Sequence, residues 1–551
     1  MMLAVIALLA VAPVDAIAER FSSRYFEQYP TRATEAGLTQ FDAKLEDLSA
    51  ERLRAWKSFL DEMERSARAL HPQSRDDRID LATLRRAVAW EKFTVVVRDA
   101  PRRNPLFWTE IVSNAALYLL LRDDTDRAAR VDALRSRAEQ VPRLVAQAQA
   151  ALAATSRELI APELVKQAGE EAKHLADLFG RGLKEFAPEL APSGAKAARS
   201  LRAFAGFLSS LDGRGSARLG KDYAEAVRIY LGTTATPSAL LRRFEQDLAA
   251  QRREVASYGR SVWPSVNPGA PLPSSDGELL RQLFGRIESD HTTDVESYVA
   301  LWRQIVPELE SLVRQRQVVT LPDPLTVRIL AAPPYLRGQA YGGLFPAGPF
   351  RAQGDTLLLL PMPASEADAQ RRESFFRAFN RPFSRMIAAH EVMPGHYVQL
   401  KIAARGPHKL RALFPDQVFA EGWGTFSERL MLDEGWGGPL ERIAHLKKAL
   451  ENCARAIVDV RVHTMGASRA EVDRVVREEA VQDPQLANNL WQRTLVSPPQ
   501  LVTYHLGSQR FQSLYASERK RAGPRFELRA FTDALMRDAA FPDEAQSAPR
   551  R

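Results

Sequence analysis

The sequence predicts a mainly α-helical protein: a large helical body split by a deep cleft, with a small β-sheet just ahead of a helix that ends in histidine. Three observations lead there. From Ile17 to Val318, apolar residues recur at three- and four-residue intervals in windows rich in Leu, Ala, Arg and Glu, punctuated by short Pro/Gly breaks. Between Thr320 and Pro363 the pattern changes to short apolar runs bounded by Pro, Gly and Asp. Beyond that, six of the nine histidines fall between residues 390 and 505, a clustering that composition does not require.

Composition narrows the class. With 45% apolar and 26% charged residues, the 551-residue chain is that of a folded soluble protein. Its net charge of +8 is spread through Arg-rich helices without a long basic block, which argues against a nucleic-acid partner. The single cysteine, Cys453, rules out an intrachain disulfide framework and a cysteine-based zinc site.

In chain order, Met1 to Ala18 carries an apolar run, Leu3 to Ala12, then Pro13 and small residues at Val14-Asp15-Ala16 and Ala16-Ile17-Ala18. This resembles the core and cleavage region of a secretory signal and is too short for a membrane span. The usual Lys or Arg before the core is missing. Two readings stand: a signal over residues 1–18 with a periplasmic or secreted protein, or an N-terminal helix that stays in place, with a cytoplasmic one. No later stretch is long and apolar enough for stable membrane insertion. Residues 19–551 are expected to form one domain, with a helical half over 19–318 and the sheet and site helices over 319–551.

The spacing predicts helices over Asp47–Arg68, Asp76–Asp99, Arg127–Ala154, Ala161–Phe179, Lys196–Leu211 and Glu278–Glu288. The Pro/Ser/Gly-rich segment Val262–Gly277 reads as an exposed connection between two helical halves. Val327–Ile329 and Thr356–Leu360 read as strands, joined by a Gly/Pro/aromatic loop from Pro333 through Pro346. A strand edge offers unpaired N–H and C=O groups that suit an extended peptide. Tyr341 and Arg351 are the substrate-binding candidates beside it.

The helix predicted over Arg381 to Ala389 leads into His390-Glu391-Val392-Met393-Pro394-Gly395-His396. Two neutral imidazoles and an adjacent carboxylate are what a zinc-dependent hydrolase needs, namely two ligands and a general base. Six residues of regular helix, at ~3.6 per turn, leave the two side chains roughly 120° out of line. Pro394 lacks an N–H and crowds the His390 carbonyl, so a local bulge at Pro394-Gly395 would bring His396 beside His390. The alternative is a helix that stops at Met393 and leaves His396 on the surface.

A second helix around Ala420 to Glu428 supplies Glu421, which completes a His2Glu set with an open position, as catalytic zinc sites have. Gly422 and Gly424 weaken that helix, and close approach of another backbone is their expected reason. Glu428, seven residues on, either orients a ligating imidazole from behind or lies on a solvated face. Asp459 and His463 share a helix face four residues apart, suited to bond each other or a substrate. Tyr504, with His463 and His505 behind it, is the candidate oxyanion donor, the alternative being a buried tyrosine bonded to a carbonyl.

These residues resemble the bacterial domain-of-unknown-function family 885. The likeness rests on His-Glu-x-x-Pro-Gly-His at 390–396 and Glu-Gly-Trp at 421–423. It is joined by Tyr29 to Leu38 with Asp42 and Leu45, by Val458 to Gly466, and by Pro499 to Gly507. The resemblance implies a gluzincin-like fold whose strand edge carries the substrate backbone. It implies one Zn²⁺ per chain on His390, His396 and Glu421, Glu391 as base, and a peptide or small amide as substrate. A metal-dependent amidase or esterase, or a non-catalytic metal-stabilised peptide-binding protein, are the alternatives.

Overall fold

The amphipathic windows of the first three hundred residues each close as a helix against their neighbours. The computed structural model describes residues 13–72, 74–122, 124–333, 342–364 and 367–543. Helices Ala50–Ala69, Arg75–Lys92, Arg127–Ala153 and Asp276–Glu288 start where Ser49, Ser74, Asp126 and Ser275 each accept the N–H three residues on. Pro162–Asp177 and Ala191–Ser209 start instead on prolines in their first turns, where no N–H is needed. Phe93–Val97 and Leu178–Gly182 continue two of these helices as π turns, so the apolar spacing runs on past the α-helical ends.

One sequence expectation changes. Pro13–Gln28 is a helix that buries Val14 and Ala18 at 3% and 8% exposure, so the small residues that resemble a cleavage region lie inside a packed helix. Residues 1–12 lie outside the described residues. The Val262–Gly277 segment is an exposed connection, but between two neighbouring helices: Pro237–Val266 ends five residues into it, and residues 267–275 lead into Asp276–Glu288, which packs back so closely that a Cβ on Gly259 would sit 2.3 Å from Leu283. One hydrophobic core runs from Val14 to Phe541.

The sheet is small and mixed: β1 (Val327–Ala331) pairs parallel with β3 (Thr356–Leu360), and β2 (Gly343–Phe345) pairs antiparallel on its other side. Central β3 is buried along its whole length, which is why a run of four leucines suits it; the edges β1 and β2 are half-buried. β2 falls inside the stretch that reads as loop, being three residues long. Helix His396–Arg405 holds the sheet: Thr326 N–H donates to the buried Tyr397 hydroxyl at 2.7 Å, and Lys401 Nζ donates to Gly354 O at 2.5 Å.

Two polar ties fasten the first hundred residues to this region. Arg411 pairs with Asp80 at 2.6 Å and Asp76 at 3.0 Å. Asp416 accepts from Phe419 N–H to cap helix Gln417–Asp433, and its other oxygen pairs with Arg86 at 3.0 Å.

Candidate metal centre

Three helices assemble the site. Asn380 caps the first, Arg381–Glu391, by accepting from Phe383 N–H at 2.9 Å, and Pro382 fills its first turn. From outside, Trp436 holds it, donating to Arg385 O at 2.8 Å while the Arg385 guanidinium lies 4.3 Å over the indole. The helix ends at Glu391, and the chain turns through Val392 to Gly395, with a cis Met393–Pro394 peptide, before the second helix, His396–Arg405. This is a break rather than the expected bulge in a continuous helix. Pro394 has no N–H to give, and Gly395 donates instead to Ala389 O at 3.0 Å. A Cβ on Gly395 would lie 1.8 Å from His390 O, so only glycine fits. The break still sets the imidazoles side by side, ring centroids 4.7 Å apart and planes at 88°.

Helix Gln417–Asp433 brings the third group, and its Glu421-Gly422-Trp423-Gly424 run has a job at each position. Gly422 crosses Gly507 of helix Thr503–Ala522 backbone to backbone, with a Cβ there only 2.5 Å from Gly507. Trp423 donates to Pro394 O at 2.8 Å, clamping the break between the two histidines. Gly424 answers to a side chain instead of a backbone: a Cβ would stand 2.8 Å from the His390 ring.

Glu421 Oε2 lies 3.6 Å from His390 Nε2 and 3.4 Å from His396 Nε2, and one ligand atom from each residue falls within 4.8 Å of the others. Glu428 is fully buried rather than solvated; Oε1 takes His390 Nδ1 at 2.8 Å and Oε2 takes His445 Nδ1 at 2.9 Å. With Nδ1–H committed to Glu428, His390 turns Nε2 toward Glu421 and His396. Burial would lower the His390 imidazole, but Glu421 and Glu428 outweigh it and raise it to about 10. Burial would raise both carboxyls, and their imidazole partners hold them below the usual range instead.

Two imidazoles and a carboxylate converging on one point can share either protons or a cation, and the set fits zinc. Bonds of ~2.0–2.1 Å to a tetrahedral ion place neighbouring ligand atoms roughly 3.3 Å apart, close to the observed 3.4 and 3.6 Å. His390 is buried, while His396 and Glu421 keep 16% and 15% side-chain exposure, so the open side is theirs. Glu391, half-buried, forms no hydrogen bond or ion pair with the described residues, and its charge acts on His390.

The other sequence candidates divide. Tyr504 lies at the site: Gln500 Nε2 donates to its hydroxyl at 3.1 Å and sits 3.5 Å from Glu421 Oε1. Burial and the Glu421 charge push its phenol up, leaving the O–H as a donor. From the N-terminal half Tyr230, whose ring packs 4.6 Å from Trp90, is near enough that burial and the same charge raise its phenol too. His463 lies elsewhere, accepting from Leu219 N–H at 3.1 Å and bonded to Thr494 O at 2.8 Å. Asp459 accepts from the Tyr223 hydroxyl at 2.6 Å and is not bonded to His463. His505 pairs with Asp247 at 2.9 Å beside Cys453. Arg351 pairs with Asp124 at 3.2 Å and packs against Gly37 of the opening motif, fastening that segment instead of touching the cluster. Tyr341 lies outside the described residues.

Three residues of the site carry no assignment from the sequence. His445 is one of the six clustered histidines, which was its signal. Gln500 stands inside the Pro499–Gly507 motif, and Arg493, donating to Gln500 Oε1 at 3.0 Å, gave none.

A family model described as "bacterial protein of unknown function (DUF885)" matches residues 30–542. No curated protein matches the chain. Two solved structures, each described as a "putative lipoprotein", share the fold. That from Shewanella oneidensis is 20% identical with a TM-score of 0.79, covering 97% of this chain and 99% of its own. That from Colwellia psychrerythraea is 15% identical with a TM-score of 0.80, covering 97% and 98%.

Proposed function

The chain belongs to the DUF885 family of bacterial proteins, and from that premise we propose that it is a zinc-dependent, gluzincin-like hydrolase of peptide bonds working in the cell envelope or outside the cell. The observation that carries this reading is the convergence of His390, His396 and Glu421 on one point, with Glu428 fixing the His390 ring from behind. The apolar start of the sequence and the description of the two structural neighbours support the location.

His390, His396 and Glu421 would hold the ion. Bound there, zinc supplies Lewis acidity, easing the ionisation of water and polarising a carbonyl. Glu391, next to His390 and without a hydrogen-bond partner among the described residues, takes the proton of the attacking water and passes it to the leaving amine. Tyr504 donates its free O–H to the developing oxyanion, with Gln500 fixing the hydroxyl. Tyr230, with Trp90 packed on its ring, comes near Glu421 from the N-terminal half.

Zinc-loaded wild type is expected to cleave members of a mixed peptide library. Glu391→Gln should keep the metal and lose about 10²–10⁴ in turnover. Undiminished turnover in Glu391→Gln removes the base assignment. Cleavage confined to simple esters or acyl amides replaces the peptidase with a broader amidase or esterase.

A further inference from the structure

The Gln500 side of the site is cationic. Arg493, in the last turn of helix Pro484–Val496, donates to Gln500 Oε1 at 3.0 Å, and Gln500 Nε2 reaches to 3.5 Å from Glu421 Oε1. Across an amide head of roughly 2.3 Å, these contacts keep the guanidinium within about 9 Å of the Glu421 carboxylate. Its neighbour Arg455 stacks 4.8 Å over the Tyr504 ring and is neutralised by Glu451 at 2.5 Å. Glu451 also serves Lys448 at 2.9 Å, which leaves that buried group one positive charge in excess. Arg493 is half-exposed and pairs with no carboxylate among the described residues. A guanidinium holding free donors beside a hydrolytic centre is shaped to take a carboxylate through two parallel hydrogen bonds.

We propose that Arg493 anchors the C-terminal carboxylate of the substrate, so that the enzyme trims short pieces from the C-terminal end of peptides. The proposal rests on the peptide-hydrolase reading above. An extended peptide advances roughly 3.3–3.6 Å per residue, which puts the scissile bond no more than about three residues from a carboxylate held by Arg493. The C–N bond breaks and the water oxygen bonds to the carbonyl carbon. One water proton goes to the leaving amine and the other leaves with ionisation of the new acid. An internal stretch of a folded protein presents a neutral carbonyl at this position and leaves the guanidinium without its partner.

The test compares two acetyl-capped hexapeptides of one sequence, ending in a free carboxylate or in an amide, with wild type and Arg493→Ala. The amide serves as an internal control on folding, alongside zinc content and melting temperature. Wild type is expected to favour the free acid by at least roughly tenfold in kcat/KM, and Arg493→Ala to bring that ratio below about two by slowing the acid far more than the amide. Equal rates on both peptides overturn the anchor and leave the peptidase standing. An Arg493→Ala enzyme slowed equally on both also overturns it, showing that Arg493 serves only Tyr504 and Gln500. Where neither peptide is cleaved, the peptidase reading falls, and calorimetric binding of the same two peptides decides the anchor. Acid-selective binding lost in Arg493→Ala upholds it, and binding that ignores the chain end, or none, overturns it.

Discussion

The His390 and His463 neighbourhoods look alike in the sequence, each a histidine with carboxylates within helical reach, yet they differ in how donors and acceptors match. Around His463 each ring nitrogen meets a backbone group, Leu219 N–H and Thr494 C=O, and the ring stacks 5.4 Å from Tyr223. Tyr223 in turn donates to Asp459. Around His390, Glu428 takes Nδ1–H, and Nε2, Glu421 and His396 are left facing one another, able to share protons or a cation. A matched set holds a fold together; a set with such atoms to spare is a place for a cation.

Removing an acceptor from the second kind of set breaks this contrast most severely. His390→Ala and Glu421→Ala are each expected to reduce zinc from about one per chain to a trace after dialysis against metal-poor buffer, read by mass spectrometry. Full zinc in either variant places the metal elsewhere. At the matched set, His463→Ala should leave zinc content unchanged and cost about 2–4 kcal/mol of stability, because a buried N–H and C=O lose their partner together. Denaturant unfolding of both proteins checks this, and zinc loss in His463→Ala would merge the two regions.

Glu428→Gln sharpens the comparison from behind the metal. The imidazole loses its charged acceptor, and zinc affinity should fall about 10–100-fold in competition with a chromogenic chelator while the fold persists. Unchanged affinity would make Glu428 a packing residue. The smallest effect belongs to Asp459. Burial pushes its carboxyl up to about 8, against the help of the Tyr223 hydroxyl, and its second oxygen has no partner. Below pH 4 it is protonated whether the chain is folded or not. As pH rises from 4 to 8 the unfolded chain ionises first, so stability is lost over that window. Asp459→Asn should therefore match wild type near pH 4 and exceed it by about 1–3 kcal/mol at pH 8 in thermal unfolding. A constant difference across that range would show that the carboxyl does not titrate there.

The helices and the His390, His396 and Glu421 cluster were legible because they depend on short-range patterns. Apolar spacing marks a helix wherever its neighbours come from, and His-Glu-x-x-Pro-Gly-His with Glu-Gly-Trp names three ligand candidates within 32 residues of sequence. What the sequence withheld depends on tertiary approach. Nothing in Val458 to Gly466 says that Leu219 and Thr494 will use up both nitrogens of His463, and nothing in the opening motif says that Gly37 will seat Arg351. The bulge expectation failed for a related reason. Proline forbids the regular ladder, but whether the chain then bulges or breaks is decided by Trp423 waiting at the Pro394 carbonyl.

Asp416 ties these events to the order in which the chain is made. One of its oxygens starts the helix that carries Glu421, and the other holds Arg86, a residue synthesised more than three hundred positions earlier. Arg411 closes on Asp76 and Asp80 in the same way, and Phe21 finds its ring partner in Phe414, 5.4 Å away. These particular partners of the first hundred residues therefore arrive only when three quarters of the protein has emerged, and a nascent chain stopped short of this point leaves Asp80 without its guanidinium. Such long-range closure slows folding, and it ties the start of the helix that carries Glu421 to a residue from the first hundred.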